Sequence, residues 1–131
     1  MKMGYKDLLA RADAAVKSYE TSEVTALIDN PDVVLIDIRD PRELERAGMI
    51  PGAHHAPRGM LEFWIDPDSP YHKEYFAEDK EFVFYCASGW RSLLAAEVAQ
   101  EMGLRCASLR GGFGDYQRAG HPIQQREHKP V

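Results

Sequence analysis

Apolar positions change period several times along the chain, and each change marks an element. In the first segment Tyr5, Leu8, Leu9, Ala12, Val16 and Tyr19 recur at helical spacings, which predicts one amphipathic helix over about residues 1–20. A second short helix is expected from about Ser22, with Val24, Leu27 and Ile28 apolar. It stops before Asn30, because Pro31 disfavours helical geometry in its predecessor. The period then breaks. Val33, Val34, Leu35, Ile36 and Ile38 form a nearly continuous apolar run, the pattern of a strand covered on both faces. Asp37 and Arg39 sit at its carboxyl end. Asp40 as N-cap, Pro41 at the first helical position, Glu43 closing a capping box and Gly48 beyond the end predict a short helix next. A turn and a short strand around His54–Ala56 follow.

From Arg58 to Lys80 no clean period holds; the stretch is rich in aromatic residues and carries Pro67 and Pro70, with a helical turn expected at Gly59–Trp64. Long ordered excursions often cover functional sites, so it is a candidate lid. A second buried strand, Glu81–Cys86, leads into a helix whose inward face is read as Ala95, Val98, Ala99 and Met102, ended by Gly103. Arg105–Leu109 is the last strand. Gly111–Gly120 forms a final helix before Pro122, and residues 124–131 make a polar, flexible tail. Strands alternating with helices predict an α/β domain with parallel strands, and in such sheets ligands bind at the carboxyl ends of the strands. Cys86 falls at such an end.

Composition narrows the function. With 131 residues, 44% of them hydrophobic, the chain suits one domain with a single core. A net charge of -5 and a pI near 5.5 argue against nucleic acid as a partner. Lysines at 2, 6 and 17 and acidic residues at 7 and 13 interrupt the N-terminal segment, which predicts a cytoplasmic chain rather than a secreted one. No apolar run approaches the roughly 18 to 20 residues of a membrane span, so a soluble protein is expected. In a reducing compartment a Cys86–Cys106 disulfide is not expected, and two cysteines cannot build a thiolate zinc site. His54, His55, His72, His121 and His128 lack helical metal spacing. No metal and no cofactor is expected.

The chemistry concentrates after the second buried strand. Cys86, Ala87, Ser88, Gly89 and Trp90 lead into a helix start at about Arg91, and backbone amides curled around one point there make an anion cradle. With the sulfur at its centre, the amides, the helix dipole and the Arg91 guanidinium favour thiolate over thiol, and the thiolate is the nucleophile. Gly89 permits a tight cradle, and Ser92 offers a hydroxyl to the sulfur or the helix end. Cys106, in mid-strand, reads as an inert small hydrophobe.

The loop Cys-Ala-Ser-Gly-Trp-Arg-Ser, residues 86–92, resembles the active-site loop of rhodanese-type sulfurtransferases. Residues 35–57 are similar to the family's first signature, an Asp-x-Arg pair, a glutamate and then Gly-His-Ile-Pro-Gly-Ala, and residues 109–123 to its closing Gly-Gly signature. Two positions depart: Met49 stands for the usual His and Tyr116 for the usual Trp. Both are read as structural, with His54 and His55 as candidates for a polar role nearby. The resemblance implies a rhodanese-like fold with a central parallel five-stranded sheet and helices on both faces, filling the chain as one domain with its core at about 22–123. It further implies transfer of a sulfane sulfur from thiosulfate or a similar small anion, through a persulfide on Cys86, to cyanide, a thiol or an acceptor protein.

Candidate catalytic residues are then Cys86 and Arg91, and candidate donor-binding residues are Ala87, Ser88, Gly89, Trp90, Ser92 and Arg58. Asp37 and Arg39 could reach the site, although an Arg39–Glu43 ion pair is the stronger expectation. Trp90, Phe63 and Trp64 either rim the site for an acceptor or pack on one another. Two alternatives stay open: a cysteine-dependent phosphatase or arsenate reductase on the same fold, and a non-enzymatic sulfur carrier or protein-binding module. Phosphatase loops typically place five residues between cysteine and arginine, whereas four separate Cys86 from Arg91. The shorter cradle favours a sulfur atom over a phosphate.

Overall fold

The apolar runs become the three central strands of a five-stranded parallel sheet. In the computed structural model, which describes residues 1–126, the elements run α1 (Tyr5–Ala15), β1 (Ser18–Tyr19), α2 (Val24–Asp29), β2 (Val33–Asp37), α3 (Pro41–Ala47), β3 (His54–His55), α4 (Leu61–Ile65), β4 (Glu81–Tyr85), α5 (Trp90–Glu101), β5 (Cys106–Leu109) and α6 (Gly112–Arg118). The sheet order is β1-β5-β4-β2-β3, every pair parallel. The fold is α/β with helices on both faces, as expected. The tail expected from 124 starts later, since Gln124 forms an antiparallel bridge with Met49; the remainder of it, 127–131 with His128, lies outside the described residues. No described helix is long and apolar enough to cross a membrane.

Strand alternation sorts the core into two layers. Phe82, Phe84 and Cys86 face Ala95, Ala96 and Ala99 of α5, together with Leu61 and Ile65 of α4. Val83 and Tyr85 face the other way, toward Val24 and Leu27 of α2 and Phe113 and Tyr116 of α6. The small alanines let α5 lie close on the sheet, and this seats its N-terminus directly over the end of β4. The segment read as a candidate lid is tied down by buried Leu61, Ile65 and Phe76, so it covers a sheet face rather than standing free.

Three expectations are corrected. The first helix ends at Ala15, not near residue 20, and Ser18–Tyr19 is the fifth strand. Two residues carry no period; what makes them a strand is pairing, with Ser18 beside Ser108 and Tyr19 beside Leu109. Met102 is exposed and Ala96 takes its place inside, because α5 ends at Glu101 and Met102 lies beyond the sheet. Arg39 pairs with Asp37, not Glu43: its Nε and Nη2 reach the two carboxylate oxygens at 3.0 and 2.7 Å, fully buried. Arg39 Nη2 also donates to Gly48 O at 2.7 Å, and its guanidinium lies 4.2 Å from the Phe113 ring centroid. This pair fastens the end of β2 to the close of α3 and to α6.

Candidate active site

Cys86 is the first residue past β4, and its side chain is 1% exposed. The Gly89 amide donates to Sγ at 3.2 Å, and Ser92 Oγ lies 3.6 Å away. Gly89 stands at φ 103°, a left-handed backbone that turns its N–H back toward the sulfur at little cost for glycine. Opposite, Phe113 N donates to Cys86 O at 2.8 Å and Gly114 N to Ala87 O at 2.9 Å. The start of α6 thus draws the loop carbonyls away from the sulfur. Gly112 makes that approach feasible, since a Cβ there would stand 2.3 Å from Cys86 O. The Gly-Gly signature is explained by this contact, which the sequence reading did not foresee.

Arg91, in the first turn of α5, is not idle. Its two terminal nitrogens donate to the two Glu43 oxygens at 2.9 Å each. Glu43 meanwhile accepts from the Asp40 amide at 2.8 Å and so closes the expected capping box of α3. The Arg91 hydrogen bonds hold the Glu43 carboxyl below the usual carboxylate range, against the opposing effect of its burial. Glu43 in turn raises the guanidinium further above its already high value, with a smaller contribution from negative charge on Cys86. Cys86, Arg91 and Glu43 therefore form one electrostatic group. Glu43 was legible as a cap but not as the partner of Arg91.

The remaining predicted residues divide. Ala87, Ser88, Gly89 and Trp90 form the loop, with Ser88 exposed and Trp90 57% exposed at the first position of α5. Trp90 packs against Tyr5, ring centroids 5.5 Å apart. Trp64 instead carries Lys73 over its ring, and Phe63 is exposed; among the described residues no ring contact joins any two of the three aromatics. Arg58 is engaged by Glu62 at 2.8 Å, and among the described residues no hydrogen bond or ion pair joins it to the Cys86 loop. His55 accepts from Arg126 at Nδ1, so its Nε2 carries the proton and donates to Arg39 O at 2.7 Å; His54 stacks on Tyr75. Met49 pairs through its backbone with Gln124, and Tyr116 donates to Pro122 O, so both departures from the signature are structural.

Two hollows flank the loop. One of about 200 Å³ is lined by Ser88, Gly89, Trp90, Ser108 and Arg110 among others; one of about 240 Å³ lies between Ala87, Phe113, Arg39 and Glu43. A larger open depression of about 780 Å³ lies over α3 and touches the loop only through Arg91. Cys106, the first residue of β5, is buried under α5. Its thiol donates to Ala96 O at 3.3 Å, and burial, aided by the Glu81 charge, pushes it up to about 12.

Residues 20–119 match the rhodanese-like domain. The chain is 37% identical over 98 residues to a sulfurtransferase of Allochromatium vinosum, covering 74% of this chain and 83% of that protein. It is 30% identical over 106 residues to the thiosulfate sulfurtransferase GlpE of Pseudoalteromonas translucida, covering 80% of this chain and 92% of the relative. A solved structure from Rhodopseudomonas palustris, of a protein of unknown function named as a possible tyrosine phosphatase, superposes with a TM-score of 0.91 at 53% identity. It covers 95% of this chain and 96% of its own. Matched over residues 20–119 by the rhodanese-like domain and along most of its length by a sulfurtransferase, this chain belongs to the rhodanese-like domain family.

Proposed function

We propose that the protein transfers a sulfane sulfur from thiosulfate or a similar small anion through a persulfide on Cys86. The Cys86 thiolate attacks the outer sulfur of thiosulfate. A bond forms between the two sulfurs, the original S–S bond breaks, and sulfite leaves with its electron pair. Cyanide, a thiolate or an acceptor protein's thiolate then attacks the outer sulfur of the persulfide; a bond forms to that sulfur, the S–S bond to Cys86 breaks, and its electron pair returns to Cys86 as the thiolate. Arg91 holds the anionic donor and the departing sulfite, and the Gly89 amide and Ser92 hydroxyl face the sulfur that stays. A free thiol at Cys86 fits a reducing compartment such as the cytoplasm.

The single observation that carries this reading is the loop itself, with a buried sulfur receiving the Gly89 amide and four residues to Arg91. The likeness to GlpE supports thiosulfate as donor. The purified protein is incubated with thiosulfate, and intact mass and cyanide-dependent thiocyanate release are recorded. Addition of one sulfur atom, lost with Cys86→Ser, is expected; thiocyanate release that survives Cys86→Ser overturns the reading.

The name of the Rhodopseudomonas palustris structure favours a second reading, a cysteine-dependent phosphatase. Cys86-dependent hydrolysis of an aryl phosphate tests it, and the short loop argues for no such activity.

A further inference from the structure

We propose that Ser108 is a positioning residue for the Cys86 sulfur and acts through Ser92. Both serines are buried, at 2% and 0% exposure. Ser108 lies on β5, where Cys106 and Ser108 point to the face covered by α5, the face that also holds Cys86. Its Oγ is 2.9 Å from Ser92 Oγ, which lies 3.6 Å from the sulfur and 3.2 Å from Gly89 O. A line of two hydroxyls thus leads from the middle of β5 to the nucleophile candidate.

Proton accounting fixes the direction of each bond. Among the described residues the Ser108 hydroxyl has one hydrogen-bond partner, Ser92, so its proton goes to a Ser92 lone pair. While Cys86 is a thiol, Ser92 accepts from Ser108 and from the S–H, and gives its own proton to Gly89 O. Every group is satisfied. Once Cys86 has released its proton to solvent, the sulfur can only accept. Ser92 then turns its proton from Gly89 O to the sulfur, and Gly89 O keeps the Leu93 amide at 3.2 Å.

Ser108 donates in both states. It occupies a Ser92 lone pair, polarises the hydroxyl and leaves the Ser92 proton free to serve the anion. Without Ser108 the Ser92 hydroxyl rests on the carbonyl one turn back, the usual habit of serine in a helix, and the sulfur keeps the Gly89 amide. A buried hydroxyl pair that merely satisfied itself would not influence Cys86.

The proposal rests on Cys86 being the nucleophile, so the test avoids turnover. At one near-neutral pH, the ultraviolet absorbance of the thiolate and the rate of Cys86 alkylation by iodoacetamide are measured, with peptide mapping to separate Cys86 from Cys106. Wild type is compared with Ser92→Ala, Ser108→Ala and the double variant, and thermal melting reports the fold. Ser108→Ala is expected to lower the alkylation rate about threefold to tenfold, with a fall in thiolate absorbance, the scale of one ordinary net hydrogen bond, because the sulfur keeps the Gly89 amide. The double variant should be no slower than Ser92→Ala alone. A wild-type rate in Ser108→Ala, or losses that multiply in the double variant, overturns the proposal. Ser108→Thr and Ser108→Val guard against a folding effect, since they share a shape and differ in the donor. The threonine form should keep the faster rate, and equal rates in the two overturn the proposal. Thiocyanate release surviving Cys86→Ser would sink the sulfur-transfer reading while leaving this comparison intact.

Discussion

Glu43 and Arg91 meet through two hydrogen bonds of 2.9 Å, which leaves the arginine that follows the cysteine loop already committed to a carboxylate. In the proposed reaction an anionic donor competes with Glu43 for the guanidinium. Glu43→Gln removes the competing charge and keeps one acceptor for Arg91. The KM for thiosulfate is expected to fall about threefold at low ionic strength, the scale of a partly exposed ion pair, and the difference should shrink as salt rises. A KM unchanged at every ionic strength would show that Arg91 does not meet the donor.

The same pair has a sign in pH. The folded Glu43 carboxyl is held below its ordinary value chiefly by Arg91, so its contribution to stability is present above about pH 4.3, the unfolded value, and disappears as pH falls through the depressed folded value. Urea unfolding at mildly acidic and strongly acidic pH checks this. The wild type should lose more stability across that window than Glu43→Gln, and parallel losses would contradict the assignment.

Gly112 is the point at which α6 touches the cysteine loop. At φ 56° with Cys86 O 2.3 Å from a would-be Cβ, alanine must push backbone against backbone. Gly112→Ala should cost more than the about 1 to 2 kcal/mol of left-handed alanine alone. Gly120→Ala, at φ 80° with nothing within 4 Å, should cost only that. Because Phe113 N and Gly114 N hold the loop carbonyls, Gly112→Ala should also abolish thiocyanate formation below its melting temperature. Equal costs at the two glycines, measured by urea unfolding, would remove the contact from the account.

Asp37 and Arg39 form the buried ion pair beneath the loop. Asp37→Ala strands a guanidinium that is 2% exposed and should cost about 3 to 5 kcal/mol, whereas Asp37→Leu with Arg39→Met should recover part of that loss. Urea midpoints decide it. A double variant less stable than Asp37→Ala would mean that the Arg39–Gly48 hydrogen bond matters more than the stranded charge.

The sequence carried the parts of this molecule that have a period or a spacing. Runs such as Val33–Ile38 and Phe82–Tyr85 announce buried strands because both faces are covered, and Asp40, Pro41 and Glu43 announce a helix start because capping is local. The loop from Cys86 to Arg91 is legible for the same reason. What escaped was set by tertiary pairing. Ser18–Tyr19 becomes a strand only beside β5, Glu43 finds Arg91 across 48 positions, and Ser108 meets Ser92 across 16. Arg39 chose Asp37 over Glu43 because two residues along one strand end already align the fork with the carboxylate.

Cys106 offers a test of burial without catalysis. Its thiol is neutral in the folded protein and pushed up to about 12 by burial, while an unfolded chain ionises a cysteine at about 8.5. A folded value raised above the unfolded one gives stability that is complete below about pH 8.5 and declines as pH rises from there toward about 12. Tyr75, also pushed up to about 12 by burial, begins to contribute only above about pH 10, so the interval below that isolates the thiol. In a Cys86→Ser background, which leaves Cys106 as the one thiol, the unfolding free energy should fall by about 1 kcal/mol between about pH 8 and about pH 9.5. Adding Cys106→Ala should remove that fall, and folded Cys106 should resist iodoacetamide throughout. Identical pH slopes in the two proteins would mean that the thiol ionises as readily inside the sheet as in water, and that α5 does not seal β5.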